Sequence, residues 1–214
     1  QKKNVEIYFN DTCDEYAGVY AKKEADSLRA YIFFSRRNYI LNMLDLQGGK
    51  VLDIGCGPGI LTRDLLKRGC HIWNIDISEA MVEKAKERMR FIEDRSRAHF
   101  EAGDIEKLRF ENNFFDAVIC AGVLEYLPND TLALKEVFRV LKPGGVAIFT
   151  VPNLASPFAL LEKSIVLMIW FFRKIFSWPS DSLLFREDIV DRYYFPAKFK
   201  TTGKLACPSR TTVK

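Results

Sequence analysis

A chain of 214 residues that is 48% hydrophobic can bury the core of one domain, and its length does not call for a second. The formal net charge of +4 arises from acids and bases interleaved along most of the chain, which says little about nucleic acid. Five cysteines, at positions 13, 56, 70, 120 and 207, are odd in number and lack C-x-x-C spacing, so neither a disulfide framework nor a metal site is expected, and a cytoplasmic setting is. The chain opens at Gln1 without a cleavable signal pattern, and further residues are expected upstream. Residues 1–46 read as helical. Tyr8-Phe9-Asn10 and the stretch from Tyr16 to Tyr20 come first. A longer helix follows from Ser27 to Leu46, with Leu28, Tyr31, Ile32, Tyr39, Ile40, Met43 and Leu44 at helical spacing.

The run V-L-D-I-G-C-G-P-G, from Val51 to Gly59, comes next. Val51, Leu52 and Ile54 have the apolar character of a buried parallel strand. Gly55, Gly57 and Gly59 follow at once, and Ile60 to Arg68 reads as an amphipathic helix. Glycines at such a turn let the backbone bend sharply and let a ligand lie against bare main chain. Ile60 stands where the nicotinamide fingerprint G-x-G-x-x-G needs a glycine, and no Gly-Lys-Ser/Thr of a Walker loop is present. His71–Asp76 reads as strand two. Asp76 lies 21 positions beyond Gly55, near the spacing at which an acid grips ribose hydroxyls, since a carboxylate accepts two hydrogen bonds from a cis-diol. The alternative is a helix N-cap, a role open to Asp76 or Ser78. Residues 79–95 read as a charged surface helix, 98–105 as strand three with its turn, and 114–121 as strand four. A helix over 131–141 ends at Lys142-Pro-Gly-Gly145, and Val146–Val151 is strand five. His71 and His99 fall within strands and suit structural roles. Strand and helix alternating through short connections imply an α/β doubly wound, mainly parallel sheet with helices on both faces.

In order, V-L-D-I-G-C-G-P-G, N-I-D-I-S, G-D-I, F-D-A-V-I-C-A and L-K-P-G-G resemble the motifs of class I S-adenosylmethionine-dependent methyltransferases, over residues 47–153. The resemblance implies a Rossmann-like fold, S-adenosylmethionine as cofactor and S-adenosylhomocysteine as product. It places Asp53, Gly55, Cys56, Gly57, Asp76, Ile77, Met81, Gly103 and Ala121 around the cofactor. Asp104 would accept from the adenine amino group and Ile105 would flank the ring, the alternative being a simple Gly-Asp turn. An N-terminal Tyr or Arg would meet the cofactor carboxylate, with Tyr16, Tyr20, Arg36 and Arg37 as candidates. The string L-E-Y-L-P is similar to L-E-H-V-P of quinone-biosynthesis O-methyltransferases, with Tyr126 where that group has histidine. Glu125 and Tyr126 are therefore the candidate catalytic residues, as base or as positioning groups.

Beyond strand five, Phe158 to Trp178 is mostly apolar, and Ile165 to Phe172 is unbroken, too short to span a bilayer, which takes about 20 apolar residues. A buried or dimer-forming helix, a lid over an apolar pocket and a peripheral membrane contact all fit this stretch. The family's closing antiparallel hairpin has no counterpart in the pattern of the tail. The expected organisation is a single domain, with a helical cap over 1–46, a cofactor-binding core over 47–153, an apolar insertion over 154–195 and an irregular tail over 196–214. The expected activity is methyl transfer to a small, lipophilic or aromatic acceptor, O-methylation first. A nucleic-acid or protein methyltransferase and a non-catalytic binding module are the alternatives. The turn after strand four reads Ala121-Gly-Val-Leu, not the N/D-P-P-Y/F turn that accompanies amino-base methylation, so no nucleic acid is expected as partner.

Overall fold

The computed structural model describes residues 1–21 and 27–152, apart from the side chains of residues 20, 21, 28 and 29. Five strands, β1 (Lys50–Ile54), β2 (His71–Asp76), β3 (Ala98–Ala102), β4 (Phe115–Ala121) and β5 (Leu141–Thr150), form one sheet in the order β3-β2-β1-β4-β5. Every pairing is parallel. The expected Rossmann-like α/β arrangement is the one observed. Strand order reverses between β1 and β4, which opens a crevice at their carboxyl ends. Residues 153–214 lie outside the described residues, and with them the apolar stretch 158–178 and the question of a closing hairpin. No helix among the described residues is long and apolar enough to cross a membrane.

Among the described residues six helices accompany the sheet: α1 (Lys2–Asp11), α2 (Cys13–Ala21), α3 (Leu28–Met43), α4 (Thr62–Lys67), α5 (Glu79–Met89) and α6 (Thr131–Val140). One face of the sheet packs Val51, Ile72, Ile119 and Ile148 against Ile40, Leu41 and Leu44 of the α3 region and Leu65 and Leu66 of α4. The other packs Leu52, Val118, Cys120 and Phe149 against Ala133, Val137 and Val140 of α6. Successive strand residues thus serve opposite cores, which is why β1 and β4 read as continuous apolar runs.

Several boundaries differ from the sequence pattern, among them the end of α3, at Met43 rather than 46. Helix α5 stops at Met89 rather than 95, its buried stripe being Met81, Val82, Ala85 and Met89. A 3-10 turn over Glu93–Arg97 follows. Helix α4 begins at Thr62 because the glycine turn extends through residue 61, and Thr62 is fixed by donating its hydroxyl to Asn74 Oδ1 at 2.8 Å. Strand β5 begins at Leu141 rather than 146. Leu141 pairs with Phe115 and Val146 with Ala117, so Lys142 to Gly145 bulge opposite Asp116. Gly144 sits at φ +79° in that bulge, and Lys142 Nζ donates to Asp116 Oδ1 at 2.7 Å.

Candidate functional site

The turn after β1 is built from its main chain upward. Gly55 and Cys56 both donate their N–H groups to Ile75 O, at 2.7 and 3.1 Å, which lays the turn across the end of β2. Gly57 N donates to Asp76 Oδ2 at 2.9 Å. The glycines serve different ends. At Gly55, φ +68°, an added Cβ would overlap Val123 Cγ2, so the missing side chain admits the loop after β4. At Gly57, φ +50°, an added Cβ would meet nothing within 4 Å, leaving bare backbone toward the crevice.

Above this turn lies a cavity of about 180 Å³. Every residue proposed for the site from sequence lines it except Tyr20, whose side chain is outside the described residues. Asp53, at the end of β1, is 2% exposed and makes no hydrogen bond among the described residues. Burial pushes its carboxyl up to about 8, and the charge of Asp76 adds to the shift. Asp76 is buried too, yet its oxygens are engaged: Oδ1 accepts from Ser78 N and Oδ2 from Gly57 N, both at 2.9 Å. Burial raises its carboxyl while the main-chain donors of Ser78, Gly57 and Ile77 pull it back. Ser78 rather than Asp76 caps α5, its Oγ accepting from Met81 N at 3.1 Å. The thiol of Cys56 is pushed well up by burial and by the two acids, so it stays neutral.

At the end of β3, Gly103 N donates to Asp76 O at 2.9 Å, and an added Cβ at Gly103 would stand 2.8 Å from Ile75 Cγ2. Asp104 Oδ1 accepts from Glu106 N at 2.9 Å, while Oδ2 accepts from Lys2 Nζ at 2.6 Å. Lys2 also pairs with Glu106. Ile105 is buried beside them, and Ile77 and Met81 line the wall between β2 and α5.

Beyond β4 a 3-10 turn over Leu124–Tyr126 carries Glu125, 6% exposed. A Cβ built on Gly122 would stand 2.5 Å from Arg36 Nη1 and 3.4 Å from Glu125 Oε1, so the guanidinium and the carboxylate converge on this glycine next to Ala121. Arg36 lies over the Phe33 ring, 5.4 Å from its centroid. Its neighbour Arg37 is held by Asp64, with Nη2 to Oδ2 at 2.6 Å. Tyr126 meets Phe9 edge-on at 5.4 Å, Phe9 meets Tyr16 at 5.6 Å, and Tyr16 tilts against Phe33 at 6.0 Å. Of this wall the sequence reading had Tyr16 and Tyr126 and missed Phe9 and Phe33, together with Lys2 and Val5 beside them. Their trace was the spacing of Val5 with Phe9 and of Phe33 with Arg36 and Arg37, one helical turn apart. Among the described residues no group of three or more His, Cys, Asp or Glu side chains could hold a metal ion.

A parallel sheet, a glycine turn after β1 and an acid at the tip of β2 define a Rossmann-like domain for a nucleoside cofactor. A family model described as a methyltransferase domain matches residues 52–149. The chain is 34% identical over 127 residues to the ubiquinone biosynthesis O-methyltransferase of Xanthomonas oryzae pv. oryzae, covering 58% of this chain and 52% of that protein. The enzyme of the same name from Coxiella burnetii is 32% identical over 118 residues, covering 55% and 50%. The crystal structure of the PH0226 protein from Pyrococcus horikoshii OT3 is similar with a TM-score of 0.55 at 31% identity, covering 72% and 69%. Over residues 52–149 the chain carries a methyltransferase domain, similar to those of S-adenosylmethionine-dependent methyltransferases of class I. It spans about half the length of the two biosynthetic relatives. The cavity fits that family's cofactor: a buried acid without a hydrogen bond among the described residues, a second buried acid on the neighbouring strand, a guanidinium and open main chain at Gly57 match an amino-acid end and a nucleoside.

Proposed function

We propose that the chain catalyses S-adenosylmethionine-dependent methylation of a small, lipophilic or aromatic acceptor, at oxygen. When bound, the cofactor supplies a methyl group already activated on a sulfonium. Asp53 would hold the ammonium of its amino-acid end and Arg36 its carboxylate, with Tyr16 and Tyr20 beside them. Asp76 keeps lone pairs for ribose hydroxyls after accepting two main-chain donors. Asp104 and Ile105 would meet the adenine, and Gly55, Cys56 and Gly57 would lie under the chain of the ligand.

The reaction then needs alignment and proton removal. Phe9, Tyr16, Phe33 and Tyr126 form a wall that would seat a flat acceptor and exclude water, and orientation of this kind supplies about 7–11 kcal/mol of barrier lowering. Glu125, buried at the carboxyl end of β4, is placed to take the proton of an acceptor hydroxyl, with Tyr126 positioning the ring. The single observation that carries the reading is the convergence of Arg36 and Glu125 on Gly122, within the cavity that also holds Asp53 and Asp76. The name of the two relatives supports oxygen as the methylated atom. A lipophilic acceptor would be met at a bilayer surface, with 158–178 as the contact or as a dimer surface. The test is calorimetric titration with S-adenosylhomocysteine, followed by product detection across catechols, hydroquinones, aromatic acids and amines. Well-folded protein that gives no binding heat removes the proposal.

A further inference from the structure

We infer that filling the cavity expels one proton, carried in the empty site by the Asp53 carboxyl beside the Asp76 carboxylate, so that cofactor affinity is coupled to pH. The inference rests on the reading of this cavity as the S-adenosylmethionine site and concerns its regulation. Two buried acids line one cavity, one from β1 and one from β2. Their surroundings differ. Asp76 receives Gly57 N on one oxygen and Ser78 N on the other, donors that favour the anion. Asp53 receives no hydrogen bond among the described residues and faces that anion. Of two adjacent acids sharing a dry site, the one without donors keeps the proton.

Among the described residues no other group on the surrounding elements neutralises Asp53. From the glycine turn comes Cys56, and from β4 Cys120, both thiols held neutral by burial. From the turn after β4 comes Glu125, a further acid. From α3 comes Arg36, stacked on Phe33 with Nη1 over Gly122, and Arg37, committed to Asp64. From α1 comes Lys2, committed to Asp104 and Glu106. The shift on Asp53 to about 8 arises from burial and Asp76, with no cation among the described residues opposing them.

A ligand bearing an ammonium changes this balance. The ammonium keeps its own proton and pairs with the carboxylate, so the Asp53 O–H bond breaks and its proton leaves to solvent. Asp53 then titrates lower when the site is filled than when it is empty. Between those two values binding releases a proton, and affinity rises with pH; above about 8 the free site is already ionised and the dependence fades.

The experiment is calorimetric titration of S-adenosylhomocysteine into the full chain at pH 7, in phosphate, HEPES and Tris, whose ionisation enthalpies differ. The slope of observed enthalpy against buffer enthalpy counts protons. Close to one released at pH 7, and about a quarter as many at pH 8.5, is expected for a group titrating near 8. 5′-Methylthioadenosine, which shares the nucleoside and sulfur but lacks the amino-acid end, should bind with no release. Asp53→Asn should abolish release for S-adenosylhomocysteine, with the circular dichroism spectrum and 5′-methylthioadenosine binding retained to show a folded site. Binding with a slope of zero overturns the inference and leaves the cofactor reading standing. An unchanged proton count in Asp53→Asn overturns it too, by placing the proton elsewhere. Absence of binding by either ligand overturns the cofactor reading itself.

Discussion

The glycine turn and the helical cap close the same cavity from opposite sides, and they are held by different forces. The turn is tied to β2 by main-chain bonds from Gly55, Cys56 and Gly57, inside a core where Ile54, Ile75 and Cys120 are buried. Helix α1 buries only Val5 of its own residues. It is strapped by polar side chains instead: Asn10 Oδ1 accepts from Ser78 Oγ at 2.7 Å, Lys2 reaches Asp104, and Gln1 Nε2 donates to Tyr126 O at 3.0 Å. Core burial fixes geometry, whereas exposed or half-exposed polar straps are each worth little and can be exchanged for water. A site with one rigid wall and one exchangeable wall can hold a ligand in place and still admit it.

The largest effect should come from the rigid wall. Asp76→Ala removes acceptors of two buried main-chain donors and of the proposed ribose hydroxyls. Bonds to a charged acceptor are worth about 1.5–3 kcal/mol each, so S-adenosylhomocysteine affinity should fall at least about 100-fold in calorimetry. Glu125→Gln should act on chemistry alone. With a catechol acceptor, kcat should fall by about 10²–10⁴ while the dissociation constant of S-adenosylhomocysteine holds. Weaker cofactor binding in Glu125→Gln, with kcat preserved, would move that residue from base to structural support.

A smaller effect separates backbone from packing at the same wall. Gly55→Ala places a β-carbon into Val123, whose branched side chain has little rotamer freedom, at a left-handed φ of +68°. The backbone part alone costs about 1–2 kcal/mol, and the overlap adds about 1–3 kcal/mol. Pairing Gly55→Ala with Val123→Ala should return the second part and leave the first, measured as chemical-denaturation midpoints. Full recovery would show that the left-handed backbone at Gly55 carries no cost.

The same contrast decides what could be read from the sequence. The rigid wall is local: a strand, three glycines and an acid 21 positions on stand in fixed register, so Gly57 and Asp76 stood out by spacing, while Asp53 entered only through the resemblance of the motif. The two glycines did not look different in sequence, because the Val123 that fills the space over Gly55 arrives from the turn after β4. The cap is built from contacts across 68 to 125 positions, as between Asn10 and Ser78 or Gln1 and Tyr126. Helical periodicity reveals α1 and α3 as helices but carries no information on which rings they bring to Tyr126. The bulge at Lys142–Gly145 was hidden likewise, since proline and glycines look like a stop until Asp116 provides the opposite side.

The smallest predicted effect tests the exchangeable wall. Lys2 bridges Asp104 and Glu106 at the end proposed for adenine, so it secures α1 and also occupies an acceptor that the adenine amino group would use. These roles oppose each other in affinity and agree in kinetics. Lys2→Met keeps a long apolar stem while deleting the charge. The dissociation constant should move less than about 5-fold, because a half-exposed ion pair is worth at most about 1 kcal/mol and its loss frees Asp104. Both the release and the uptake of S-adenosylhomocysteine should accelerate several-fold in stopped-flow fluorescence, and raising salt should accelerate the unaltered chain toward the same rates. If neither rate moves, α1 is no gate, and the cap is as fixed as the glycine turn beneath it.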